Sequence, residues 1–163
     1  MQHLDHQYLL DILNYNPETG IFTWAKPRPK VRVGQVAGYT HRKGYLAIEI
    51  NGQGHSAHRL AWFYMTGEMP DGYIDHINRI RSDNRFSNLR LATHGQNRAN
   101  SVTTNKHGFK GVVYKKWLKA KPYQAQITFN KKVIYLGCHA TPEEAHAAYK
   151  EAAEKLHGEF ANT

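Results

Sequence analysis

The chain has 163 residues, 40% of them apolar, and a formal net charge of +9. That length suits one ordinary domain or two small ones, and no run approaches the roughly 20 apolar residues of a membrane span. Cys138 is the single cysteine, which excludes an internal disulfide and a cysteine-built zinc site and fits a reducing cytoplasm.

The N-terminus carries His and Asp and lacks the basic start and apolar middle of a signal peptide. Residues 5–14 are expected to form a helix, with Leu9, Ile12 and Leu13 on one face and Asp5 as its cap. Asn16-Pro17-Glu18-Thr19-Gly20 reads as a turn, because Pro presets φ and Gly accepts a positive one. A short strand follows over 21–24. Pro27 and Pro29 make 26–30 an extended basic loop, and Val31, Val33, Val36 and Ala37 suggest a further strand. The clearest strand of this half is 44–50, with Leu46, Ile48 and Ile50 on one face; Asn51-Gly52 after it is a hairpin signal. Residues 58–66 read as a buried helix ended by Gly67, with Pro70 beyond.

From Tyr73 onward the polar residues change character. Residues 73–77 read as a strand, 78–85 as a polar loop and 86–91 as a second short strand. Thr93 then caps a short helix holding Gln96, Asn97 and Asn100. Residues 101–107 are small and polar with no apolar period, so a linker is placed at 103–107, between domains at 1–102 and 108–163. Beyond it three strands are expected at 111–116, 123–129 and 132–136. In the middle one Tyr123, Ala125, Ile127 and Phe129 alternate with the uncharged polar residues Gln124, Gln126 and Thr128. A helix starts at Thr141, with Pro142 at its first position, Glu144 completing a capping box, and Ala145, Ala148, Tyr149, Ala152 and Leu156 facing the sheet. Trp24, Trp62 and Trp117 read as core or half-buried, and His139, His146 and His157 as surface.

Charge is segregated along the chain. No acid interrupts Lys26, Arg28, Lys30, Arg32, Arg42 and Lys43, nor the eight lysines between Lys106 and Lys132, while Glu143, Glu144, Glu151, Glu154 and Glu159 gather near the end. Nucleic acid is the partner this pattern points to. Within 73–100 the chemistry fits it. A hard cation takes carboxylate and amide oxygens, which Asp75 and Asn97 offer, with Asn100 or His94 as alternatives to Asn97. His76 is the natural base at neutral pH, given an orienting partner for its ring.

Ile74-Asp75-His76-Ile77-Asn78, Ser82-Asp83-Asn84-Arg85, Ser87-Asn88-Leu89-Arg90 and Gln96-Asn97 together resemble the HNH endonuclease family, in its phage and homing branch. The 16–20 turn, Gly44-Tyr45 and His58-Arg59-Leu60-Ala61-Trp62 share that resemblance. It implies a ββα-metal nuclease that hydrolyses phosphodiester bonds in duplex DNA. Asp75 and Asn97 would bind one divalent metal, Mg²⁺ first and Mn²⁺ next, His76 would activate water, and Asn88 would hold the loop that orients His76. Arg79 departs from the pattern, since the family often has glycine there. Gly111-Val112, Tyr135-Leu136-Gly137 and Thr141-Pro142-Glu143-Glu144-Ala145 resemble the AP2 DNA-binding domain, which lays a three-stranded sheet in the major groove.

The expected fold class is therefore α+β: a ββα-metal nuclease domain preceded by short strands and a helix, then a three-stranded antiparallel sheet packed on one helix. Arg59, Arg79, Arg81 and Arg85 in the first domain, and Lys115, Lys116, Gln124, Gln126, Thr128 and Lys131 in the second, are expected to meet DNA. The expected enzyme is a monomer that nicks or cuts selectively in the cytoplasm of a bacterial host. The alternative is a sequence-specific DNA-binding regulator whose nuclease site has degenerated.

Overall fold

The structure, a computed structural model, describes residues 4–102 and 108–162; the expected linker at 103–107 lies outside the described residues. The chain is mixed α and β and falls into two compact units, Met1–Leu91 and Ala92–Thr163.

The first unit begins with α1 (His6–Ile12), whose start is capped by Asp5 accepting the Tyr8 amide at 2.9 Å. The helix stops two residues earlier than its apolar stripe suggests. Leu13 turns extended and opens β1 (Leu13–Asn16), which pairs antiparallel with β2 (Ile21–Trp24) around the expected 16–20 turn. Two other expectations fail nearby. Residues 26–30 do not run extended: Arg28 and Val31 bond backbone to backbone and Lys30 takes φ 65°. No strand forms over 31–37. The chain folds back on Trp24, whose amide and carbonyl bond Gln35 and Gly34, and Val33 and Val36 are left exposed.

β3 (Tyr39–Thr40), β4 (Leu46–Ile50) and β5 (Gln53–Ser56) make a three-stranded antiparallel sheet. The β4–β5 turn is Asn51-Gly52, both with positive φ, as a two-residue hairpin needs. α2 (Ala57–Thr66) follows and ends at Gly67 in the left-handed conformation. Leu9, Leu13, Ile48, Ile50 and Leu60 are fully buried in one core with Phe22, Trp24, Phe63, Ile74 and Leu89, each large aliphatic contributing roughly 1.5–3 kcal/mol by burial. β6 (Tyr73–His76) pairs with β7 (Leu89–Ala92) beside that core. The expected strand over 86–91 begins instead as a 3-10 turn, Phe86–Asn88, because Phe86 is tied back to the Pro17 carbonyl and Asn88 to that of Arg85.

The second unit opens with α3 (His94–Asn100), capped by a Thr93–Gln96 capping box. β8 (Val112–Tyr114), β9 (Tyr123–Phe129) and β10 (Lys132–His139) form an antiparallel sheet in the order β10-β9-β8. β10 runs three residues past the expected end, through a bulge between Tyr135 and Gly137. α4 (Pro142–His157) packs Ala145, Tyr149 and Ala153 on Val112, Ala125 and Ile127. Thr141 caps it as expected, but the Glu144 carboxylate accepts the Ala140 amide and so closes no box with Thr141. Lys110 donates to carbonyls of Ala99 and Ser101 at the end of α3, and Ala99 packs with Phe160. Trp117 is exposed rather than core. The expected surface histidines are half-buried, and His146 stacks on Tyr149.

Candidate active site

β6 ends on Asp75 and His76, and both side chains are buried, at 4% and 5% exposure. Neighbours on a strand point to opposite faces, and the two have different partners here. The Asp75 carboxylate accepts Arg90 Nε at 2.9 Å across the β6–β7 pair. His76 Nε2 lies 3.2 Å from Asn84 Oδ1. With that oxygen as the acceptor, Nε2 carries the proton and the basic lone pair sits on Nδ1. Burial pushes the His76 pKa down, opposed by the Asn84 bond and by Asp75 and Asp83, so the ring is neutral at neutral pH.

The loop after His76 is a chain of short bonds. Arg79 N–H donates to the His76 carbonyl at 2.9 Å, and Arg79 takes φ 65°, which explains a glycine preference at that position. The Asn88 side chain accepts the Asn78 amide at 2.9 Å and donates to Asn78 Oδ1 at 3.0 Å and to the Asp83 carbonyl at 2.8 Å. Asn88 thus clasps the loop from both ends, while the amide that meets the imidazole belongs to Asn84. That residue, at 1% exposure, was unmarked in the sequence beyond its place in Ser82-Asp83-Asn84-Arg85. No local pattern identifies it, since its contact depends on how the loop closes.

Asn84 is itself held by the N-terminal hairpin. The Tyr15 hydroxyl donates to the Asn84 carbonyl at 2.6 Å, and burial raises its pKa to about 12, so it stays a donor. Phe86 N–H bonds the Pro17 carbonyl at 3.0 Å. Gly20 lies so close that a Cβ there would sit 2.4 Å from Arg85 N and 2.5 Å from the Asn84 carbonyl carbon.

A second histidine packs against the first. The His58 ring, on α2, is 5.2 Å from that of His76 and 5.4 Å from Tyr45. Its Nδ1 is buried with no hydrogen-bond partner among the described residues, and burial holds its pKa down to about 4. Arg81 lies over the Tyr45 ring at 5.2 Å and donates to the Lys43 carbonyl at 2.8 Å.

The expected DNA-contacting arginines of this unit have different surroundings. Arg59 is turned inward: its guanidinium donates to the carbonyls of Pro70 and Gly72 and fastens the segment after α2, so the structure gives it a clamping role in place of a phosphate contact. Arg85 is bonded to both Asp83 oxygens, at 2.8 and 2.6 Å, and holds that carboxyl down at about 2. Arg79 and Arg81 are exposed at the mouth of the loop. In the second unit Asn97 is half-buried on α3; Lys116, Thr128 and Lys131 are exposed, and Lys115, Gln124 and Gln126 are half-exposed.

Among the described residues no three His, Cys, Asp or Glu side chains gather as a metal site. A closed zinc-type cage is therefore not built from them. The buried Asp75, oriented by Arg90, is an oxygen donor of the kind a hard divalent cation takes.

Comparison with known proteins gives a family. Residues 55–99 match the HNH endonuclease family profile. An HNH endonuclease of Acanthamoeba polyphaga mimivirus is 38% identical over 132 residues, which span 79% of this chain and 67% of the viral protein. A match of that extent is too long for the first unit alone, so the likeness reaches into the second.

Proposed function

The chain belongs to the HNH endonuclease family, and we propose that it is a metal-dependent, site-selective enzyme of the phage and homing type that nicks or cuts duplex DNA. The observation that supports this most is the buried Asp75–His76 pair with the imidazole fixed by Asn84 and its loop clasped by Asn88.

His76 takes a proton from water at Nδ1, because Nε2 is committed to Asn84. The water is thereby activated for attack on phosphorus. Arg79 and Arg81, at the loop mouth, hold the phosphate backbone. By the family resemblance, Asp75 and Asn97 would each offer a protein oxygen to a divalent cation, Mg²⁺ or Mn²⁺. When bound, that ion serves as a Lewis acid for charge on the phosphoryl and leaving oxygens. The three-stranded sheet of the second unit is an AP2-like DNA-binding element. Its lysines meet phosphate, and its open face meets the major groove. One nuclease site per chain favours a monomer that nicks.

Supercoiled DNA incubated with the protein and Mg²⁺ should be relaxed, and EDTA should stop it. His76→Ala should lower the rate about 10²–10⁴-fold, the usual weight of a general base. Unchanged cutting by that variant would remove His76 from the mechanism. Full DNA binding with no cutting by the native protein in either metal would favour the degenerate, regulatory reading.

A further inference from the structure

The outer face of the β8–β9–β10 sheet has a composition that goes beyond docking. Ala125 and Ile127 turn inward to α4, so Gln124, Gln126 and Thr128 turn outward. The antiparallel register sets Cys138 beside Gln124, Tyr135 beside Gln126 and Val133 beside Thr128. Val133 and Tyr135 are 64% and 60% exposed, so both side chains are open to a partner laid on this face. No side chain of this row carries a charge. The lysines stand around it instead: Lys131 at the β9–β10 turn with φ 65°, Lys132 at the strand start, and Lys115 and Lys116 beyond β8.

A cationic rim around an uncharged centre complements a groove whose walls are phosphate and whose floor is base edges. The β9–β10 ribbon has the two-stranded form the major groove admits. Along β9, Gln124 to Thr128 spans about 13 Å at the usual strand rise, or about four base-pair steps of roughly 3.4 Å. The chemistry of the centre is selective. Guanine is read best by Arg or Lys, and none stands in this row. Adenine is read by a Gln amide at N6 and N7, and the thymine methyl by an apolar side chain. Gln124 Nε2 donates to Gln126 Oε1 at 3.1 Å, which fixes how the second amide is presented.

We propose that this face reads A·T pairs in the major groove, with Gln126 on adenine and Val133 and Tyr135 on thymine methyl groups. The inference rests on the reading of the second unit as a DNA-binding sheet, and its test separates the two. The full-length protein, without divalent metal, is used to select binders from a random duplex library. A·T pairs are expected at the positions the protein protects. Replacing the thymines there by deoxyuridine removes only the methyl groups. It should weaken the native protein at least about fivefold, the lower range for one good base contact, and leave the double variant Val133→Ser, Tyr135→Ser nearly unaffected. A selected site of G·C pairs, or indifference of the native protein to deoxyuridine, overturns the inference. If Gln126→Ala and Val133→Ser still weaken binding in that case, the sheet remains the docking face and only the base assignment falls. If both variants bind and select like the native protein, the docking reading falls with it.

Discussion

At the scale of residues, the burial of His58 has a consequence for stability. Its folded pKa of about 4 lies below the ordinary histidine value of 6.5. Between those two pH values the unfolded chain binds a proton that the folded chain refuses, so stability falls as pH falls through that window. The full loss is on the order of 3 kcal/mol at about 1.36 kcal/mol per pKa unit, and below pH 4 it grows no further. His76 adds to it in the same direction. Denaturant titrations at pH 7 and pH 4.5 should show a smaller difference for His58→Gln than for the native protein; equal differences would show that His58 is charged in the fold. Arg79 makes the opposite kind of test. An Arg in the left-handed region is strained by roughly 1–2 kcal/mol, so Arg79→Gly should keep or raise the melting temperature. Its nicking should nonetheless weaken several-fold through KM if the guanidinium meets phosphate. The sequence makes Asp75, His76 and Asn88 legible because their spacing is a motif. Asn84 and Arg90 are not legible, since each earns its place by a contact across a loop or a strand pair that spacing does not encode.

At the scale of elements, the N-terminal hairpin is part of the support of His76. Tyr15 and Pro17 bond the 84–86 segment, and Gly20 leaves no room for a Cβ against its backbone. Gly20→Ala must move that segment, and with it the Asn84 amide that holds the imidazole. We expect kcat to fall more than about tenfold with KM within twofold, because a misplaced catalytic group costs rate rather than binding. A normal kcat would mean that the loop holds Asn84 without the hairpin. Gly111, at φ 75°, has the same role in the second unit, where a Cβ would lie 1.9 Å from the Tyr149 ring. Gly111→Ala should destabilise that unit by about 3 kcal/mol or more, combining left-handed strain with overpacking, read as a lower melting temperature. Elements were legible where period and punctuation agree, as in β4–β5, α2 and α4. They were not over 31–37, where four apolar residues lack strict alternation and the chain follows the Trp24 edge, nor at 86–88, where bonds to Pro17 and Arg85 override strand propensity.

At the scale of the whole molecule, charge decides more than shape. The net charge of +9 arises from stretches without acids, and those of the second unit lie on exposed or half-exposed lysines around an uncharged sheet face. Each lysine that neutralises a phosphate adds about 0.9 to the slope of log K against log salt concentration. The triple variant Lys115→Gln, Lys116→Gln, Lys131→Gln should therefore lose about 2.7 from that slope, and its binding deficit relative to the native protein should be larger at low salt than at high. Lys155 provides the control, because it is paired with Glu151 on α4, and Lys155→Gln should leave the slope within about 0.5 of the native value if it meets no phosphate. A drop for Lys155→Gln about one third of that for the triple variant would mean that affinity follows net charge alone. A drop confined to the triple variant would place the phosphate contacts around the sheet of the second unit, on the side chains that rim its uncharged face.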